Sequence, residues 1–252
     1  MAANQDCRTR YGANKYAALH LLLARWLRNY AKPITYRYVT LGGTELKDCQ
    51  SINFVDPNLT KSMSSFEQRT DRHEHATEMA TKLAACGISV SITKSDIFDF
   101  ARESDDPHLF FFDFEQICAL GDLHMRFGEL FLDGRLREND TLFLTSYLGR
   151  NPGWNKMFSE FDSEFRVIGV TSFEEKKRGY RRSHPSFTLY RGLSRASMQG
   201  DLLLRSIGCI EYHDSSPMGI YGFVIEQGVT DFAEFIRNAP YYNTKSGSLS
   251  ND

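Results

Sequence analysis

Four places along the chain carry residue types suited to holding a nucleoside. Gly42-Gly43 closes a β-rich run, and Asp56, Asp96 and Asp113 each end or closely follow a later one. Glycine lets a backbone approach a ligand with no Cβ in the way, and a carboxylate accepts both hydroxyls of a ribose or the amino group of a base. An Asp at such a place also serves as a helix cap, so the ordered set of one glycine turn and three acids says more than any member. A different chemistry is written in residues 176–195 (KKRGYRRSHPSFTLYRGLSR), where seven Lys/Arg stand without Asp or Glu and Tyr180, Phe187 and Tyr190 are interleaved. Basic groups meet phosphates and rings stack on unpaired bases. Lys176, Lys177, Arg178, Arg181, Arg182 and Arg191 are therefore the candidate contacts to RNA or DNA, against the competing reading of a solvated loop balanced by Glu174-Glu175.

Other constellations are weaker. In Asp71-Arg72-His73-Glu74-His75 the two histidines diverge by about 200° on a helix, so no metal site is expected. His213-Asp214 reads as an exposed His beside a turn-capping Asp. Cys7, Cys49, Cys86, Cys118 and Cys209 are odd in number and nowhere spaced as CxxC, which excludes a disulfide scaffold and a zinc ribbon and leaves small buried hydrophobes.

The elements that must position these residues follow from periodicity. Apolar positions at Tyr16, Leu19, Leu22, Leu23, Trp26, Leu27 and Tyr30 recur at three and four, predicting an amphipathic helix over 14–30 with a basic outer face, stopped by Pro33. Strands are expected at 34–41 (ITYRYVTL), 52–55 (INFV), 88–92 (ISVSI), 109–112 (LFFF) and 141–148 (TLFLTSYL), with helices over 59–86 and 117–132 and Gly87 as a C-terminal cap. The continuous apolar run LFFF is of the kind buried on both faces of a parallel sheet. Beyond Gly149 the pattern predicts a strand at 165–170, an exposed loop at 174–184, a helix over 186–205, and a hairpin of 208–213 with 219–225. A short helix over 230–238 and an unstructured Ser/Gly/Asn tail from Asn243 complete the reading. Alternating strand and helix imply an α/β, doubly wound, mostly parallel sheet with an antiparallel C-terminal hairpin. In such sheets the ligand lies beyond the carboxyl ends of the strands.

Composition agrees with one large core: 252 residues, 41% hydrophobic and 13% aromatic, with 25% charged and a formal charge of −2. Disorder, collagen and coiled coil are excluded. The longest aliphatic stretch, 17–24, contains His20 and ends at Arg25, short of the roughly 20 apolar residues of a membrane span. The first ten residues have no apolar core of a secretory signal, so a cytoplasmic location is expected. The organisation reads as an N-terminal helix packed on the core (1–33), a main domain (34–228) and a short helix with tail (229–252). Oligomeric state is not written in the sequence.

With these residues in this order, the chain resembles the class I, Rossmann-like S-adenosylmethionine-dependent methyltransferases over roughly 34–225. TLGG (40–43) looks like the first motif, VDPN (55–58) like the acidic ribose-binding strand end, SDIFDF (95–100) like the adenine-contacting segment and FFFDFE (110–115) like the catalytic strand end. The resemblance implies S-adenosylmethionine as cofactor, with Leu41, Gly42, Gly43, Asp56, Asp96 and Ile97 holding it and Asp113, Glu115 and Lys15 in the catalytic centre. Lys15 and Asp113 match the first two members of the Lys-Asp-Lys-Glu tetrad of ribose 2′-O-methyltransferases, whereas Thr145-Ser146 and Gly219 stand where the others are expected. Gly-Gly-Thr-Glu-Leu replaces the usual GxGxG, and NPPY or DPPY is missing at 113–116. The implied activity is methyl transfer to RNA or DNA. The alternative is a non-catalytic Rossmann-like nucleic-acid-binding or assembly protein with a degenerate cofactor site.

Overall fold

The structure is a computed structural model that describes residues 13–114, 120–147, 189, 192–194, 196–213, 217–228, 241–243 and 248–250. In chain order the elements are α1 (Ala13–Asn29), β1 (Tyr36–Leu41), α2 (Lys47–Val55), β2 (Thr60–Phe66), α3 (Thr70–Ala84), β3 (Ser91–Thr93), a 3₁₀ turn (Ile97–Asp99), β4 (His108–Phe112), α4 (Leu120–Leu132) and β5 (Thr141–Tyr147). A second 3₁₀ turn (Met198–Gly200) leads into β6 (Leu202–His213), β7 (Pro217–Gln227), β8 (Tyr241–Asn243) and β9 (Ser248–Ser250). These strands form one sheet in the order β3-β2-β1-β4-β5-β7-β6-β8-β9. β1 to β5 are parallel, and β7 runs antiparallel to both β5 and β6.

The LFFF run behaves as its composition predicts. Leu109 and Phe111 enter the core on one face, with Trp26, Tyr36, Tyr38 and Phe143. Phe110 and Phe112 enter the other, with Phe98, Phe114, Phe127 and Phe131. α1 is seated by Trp26, fully buried and edge-on to Tyr36 at 5.0 Å and to Phe143 at 6.2 Å. α3 ends as expected at Gly87, whose φ of +83° suits glycine. Ile88 N–H reaches back to Leu83 O and Gly87 N–H to Ala84 O, the paired bonds of a Schellman cap.

Several expectations change. INFV is the last part of helix α2, not a strand: Cys49 and Ile52 are buried while Phe54 is 80% exposed, a helical rather than an alternating pattern. The strand is TKSMSSF, residues expected to begin a helix. Its hydroxyl-bearing face lacks the apolar alternation that marks a strand. The connection from β3 to β4 contains only a 3₁₀ turn, so Ser62, Ser64, Ser91 and Thr93 line a hollow of about 340 Å³ instead of meeting an apolar helix. Helix 59–86 therefore shortens to α3, and β3 begins at Ser91. Residues 202–205, expected to be helical, belong to β6, after Asp201 turns the chain at φ +55°. Asn243 and residues 248–250, expected to lie in an unstructured tail, belong to β8 and β9, which pair with each other, and β8 runs parallel to β6. The expected strand at 165–170, loop at 174–184 and helix at 230–238 lie outside the described residues. Among the described residues no helix is long and apolar enough to cross a membrane.

Candidate active site

The carboxyl ends of β1 to β5 bring one cluster together from four elements. Asp113, just past β4, has its N–H bonded to Leu41 O at 3.2 Å, which continues the ladder by one residue and fixes where its side chain starts. Its carboxylate accepts Thr145 Oγ1, from β5, at 2.8 Å and pairs with Lys15 Nζ, from the first turn of α1. The two ionised side chains are 14% and 2% exposed. Two residues that are 98 positions apart thus meet as a shielded ion pair, with the carboxylate held from a second side by a buried hydroxyl.

Beside it lies the glycine turn. Gly42 is buried, and a Cβ there would fall 2.2 Å from Asp48 Oδ1, so only glycine leaves room for that carboxyl group. Gly43 has φ +75° and Leu46 φ +49°, and α2 starts without a side-chain cap. Asp48 is fully buried; Tyr38 Oη donates to its Oδ2 at 2.7 Å, and Oδ1 has no hydrogen-bond partner. Burial pushes its carboxyl above the ordinary range, and the nearby charge of Asp113 pushes the same way. The Tyr38 phenol is driven well above its ordinary value by burial and by Asp48.

Asp96 follows β3 and caps the 3₁₀ turn: its Oδ1 accepts Phe98 N–H at 3.1 Å, and its Oδ2 pairs with Arg126 from α4. Arg126 also lies over the Phe98 ring, 4.0 Å from the centroid. Ile97 is buried in the aromatic core beneath.

Asp56 requires correction. It precedes β2 and stands at the C-terminal cap of α2, where its carboxylate accepts Asn58 N–H at 2.9 Å. It therefore lies at the amino end of the parallel strands, the edge opposite Gly42. The acid that follows β2 is Glu67, whose N–H bonds Thr93 O and whose Oε1 accepts Arg69 N–H at 2.9 Å. Thr40 pairs with Ser65, so the register carried forward sets Gly42 beside Glu67. The sequence signal for Glu67 was an acid closing the alternating TKSMSSF. Glu115, Lys176, Lys177, Arg178, Arg181, Arg182 and Arg191 lie outside the described residues. No group of metal-ligating side chains occurs among the described residues.

Seven strands in the order 3-2-1-4-5-7-6, with the seventh antiparallel, constitute the fold of the Rossmann-like, class I methyltransferases. Many of the solved structures similar to this chain are S-adenosylmethionine-dependent methyltransferases. Magnesium protoporphyrin IX methyltransferase from Synechocystis PCC 6803, with bound S-adenosylhomocysteine, aligns over 87% of this chain and 86% of its own at 9% identity and a TM-score of 0.54. N-methyltransferase NodS from Bradyrhizobium japonicum WM9 aligns over 86% and 99% at 12% identity and a TM-score of 0.49. An S-adenosylmethionine-dependent methyltransferase from Clostridium acetobutylicum ATCC 824 aligns over 85% and 92% at 10% identity and a TM-score of 0.49. The sequence matches no protein-family model and no curated protein.

Proposed function

We propose that this chain binds S-adenosylmethionine at the carboxyl ends of β1 to β4 and transfers its methyl group to RNA or DNA. The observation that carries the reading is the Lys15–Asp113–Thr145 cluster, assembled from α1, β4 and β5 beside a glycine turn. The residues present fit a cationic nucleoside. Glu67, beside Gly42 by register, and Asp113 outnumber Lys15 around the turn, so the surroundings favour a positively charged ligand.

In this arrangement Gly42 and Gly43 let the backbone approach the ligand, Glu67 accepts the ribose hydroxyls and Asp96 faces the base. The cofactor supplies an electrophilic methyl group. Asp113 orients the acceptor and takes up its proton where one must leave, while Thr145 fixes the carboxylate and Lys15 balances its charge. The nucleic-acid acceptor is supported by the seven cations and three rings of residues 176–195.

Isothermal titration with S-adenosylmethionine and S-adenosylhomocysteine tests the cofactor. Binding heat or thermal stabilisation supports the reading, and silence with both overturns it. Silence would favour the second reading, a nucleic-acid-binding or assembly protein whose cofactor turn has decayed. The Asp48 carboxyl packed against Gly42 is the observation on that side.

A further inference from the structure

Arg126 has a chemistry at this site that resembles a ligand more than a scaffold. Its guanidinium is a flat, delocalised group bearing N–H donors, stacked 4.0 Å from the centroid of Phe98 while donating to Asp96 Oδ2. An amino-bearing purine is also flat and delocalised and also offers N–H donors at its edge. The platform beneath is rigid: Phe98 packs against Phe112 at 5.6 Å, Phe114 at 6.2 Å and Phe127 at 5.4 Å. The Asp96 carboxylate beside it is held by Phe98 N–H, so stacking surface and acceptor keep a fixed relation. Arg126 itself comes from α4, and its side chain is 42% exposed, so its departure uncovers one face of Phe98.

We infer that Arg126 covers the Phe98 face and the Asp96 edge, where the reading above already places the base, as an internal stand-in until the nucleoside displaces it. This rests on the nucleoside reading above and adds the competitor and a sign. Displacement costs the protein one partly exposed ion pair and one partly exposed cation–π contact, so removing the guanidinium relieves the ligand of that competition.

The test is titration of the full chain and of Arg126→Ala with adenosine and, separately, with S-adenosylmethionine. Arg126→Ala is expected to bind both about fivefold to tenfold more tightly than the parent. Arg126→Lys, which keeps the charge but loses the plane, is expected to fall between. Equal gain with both, which share only the adenosine part, locates the competition at that part. Equal or weaker binding by Arg126→Ala, with the parent binding normally, overturns the stand-in and leaves the cofactor reading intact. Absence of binding by parent and variants alike overturns the nucleoside reading and the subsite with it. Superimposable circular dichroism of parent and variants confirms that all are folded when compared.

Discussion

At the scale of single residues, Asp113 is where reactivity should concentrate. Asp113→Ala is expected to lower turnover by about 10² to 10⁴ while cofactor affinity, measured by titration, stays within a few fold. Thr145→Val removes one hydrogen bond to a buried carboxylate and should cost about 1.5 to 3 kcal/mol of stability, read from denaturant midpoints, together with part of the activity. Asp48 gives a pH signature. Its folded pKa is raised, so its contribution to stability is full below the usual carboxylate range and lost as pH rises through the folded value. Asp48→Asn should therefore gain in melting temperature relative to the parent at neutral pH, and the gap should close on acidification; a gap constant with pH would contradict this. Lys15 and Asp113 could be picked out of the sequence because each stood in a recognisable stretch. Asp48 could not, since its burial depends on α2 being a helix, and Glu67 was missed because β2 was not recognised as a strand.

At the scale of elements, the edge opposite the site is closed by a buried clamp. Asp140 accepts His108 N–H and Arg137 N–H, both at 2.8 Å, and a two-pronged contact from Arg102. This ties the amino ends of β4 and β5 together. Removing one partner strands a buried charge, so Arg102→Ala should lose about 3 to 5 kcal/mol, visible as a lowered denaturant midpoint. Burial and the Arg102 charge hold the His108 imidazole down at about 4, so it stays neutral there through the physiological range. Legibility differed sharply between elements. α1, β4 and the β6–β7 hairpin were visible because each buries the side its pattern offers. The INFV and TKSMSSF segments were exchanged because hydrophobic periodicity reports burial, and β2 presents serines to a hollow where a parallel strand ordinarily presents valine or leucine.

At the scale of the whole molecule, the alternation of strand and helix was enough to give a parallel sheet with an antiparallel finish, because short connections leave few topologies. The acceptor was not legible in the same way, since charge runs do not state what they meet. If residues 176–195 hold nucleic acid, replacing Lys177, Arg178, Arg181 and Arg182 with Ala should weaken binding and reduce the slope of log affinity against log salt by about 3. Unchanged slopes in filter binding would remove that segment from the account. The route by which Lys15 reaches Asp113 has a mechanical side. α1 is seated along its length by Ala18, Leu19, Leu22, Leu23 and Trp26, all buried in one core cluster, and Lys15 lies one turn before Leu19, about 6 Å along the axis. A displacement that parts the ammonium from the carboxylate must therefore lift Ala18 and Leu19 out of the core as well, so the charge pair is held in register by the same apolar contacts that dock the helix.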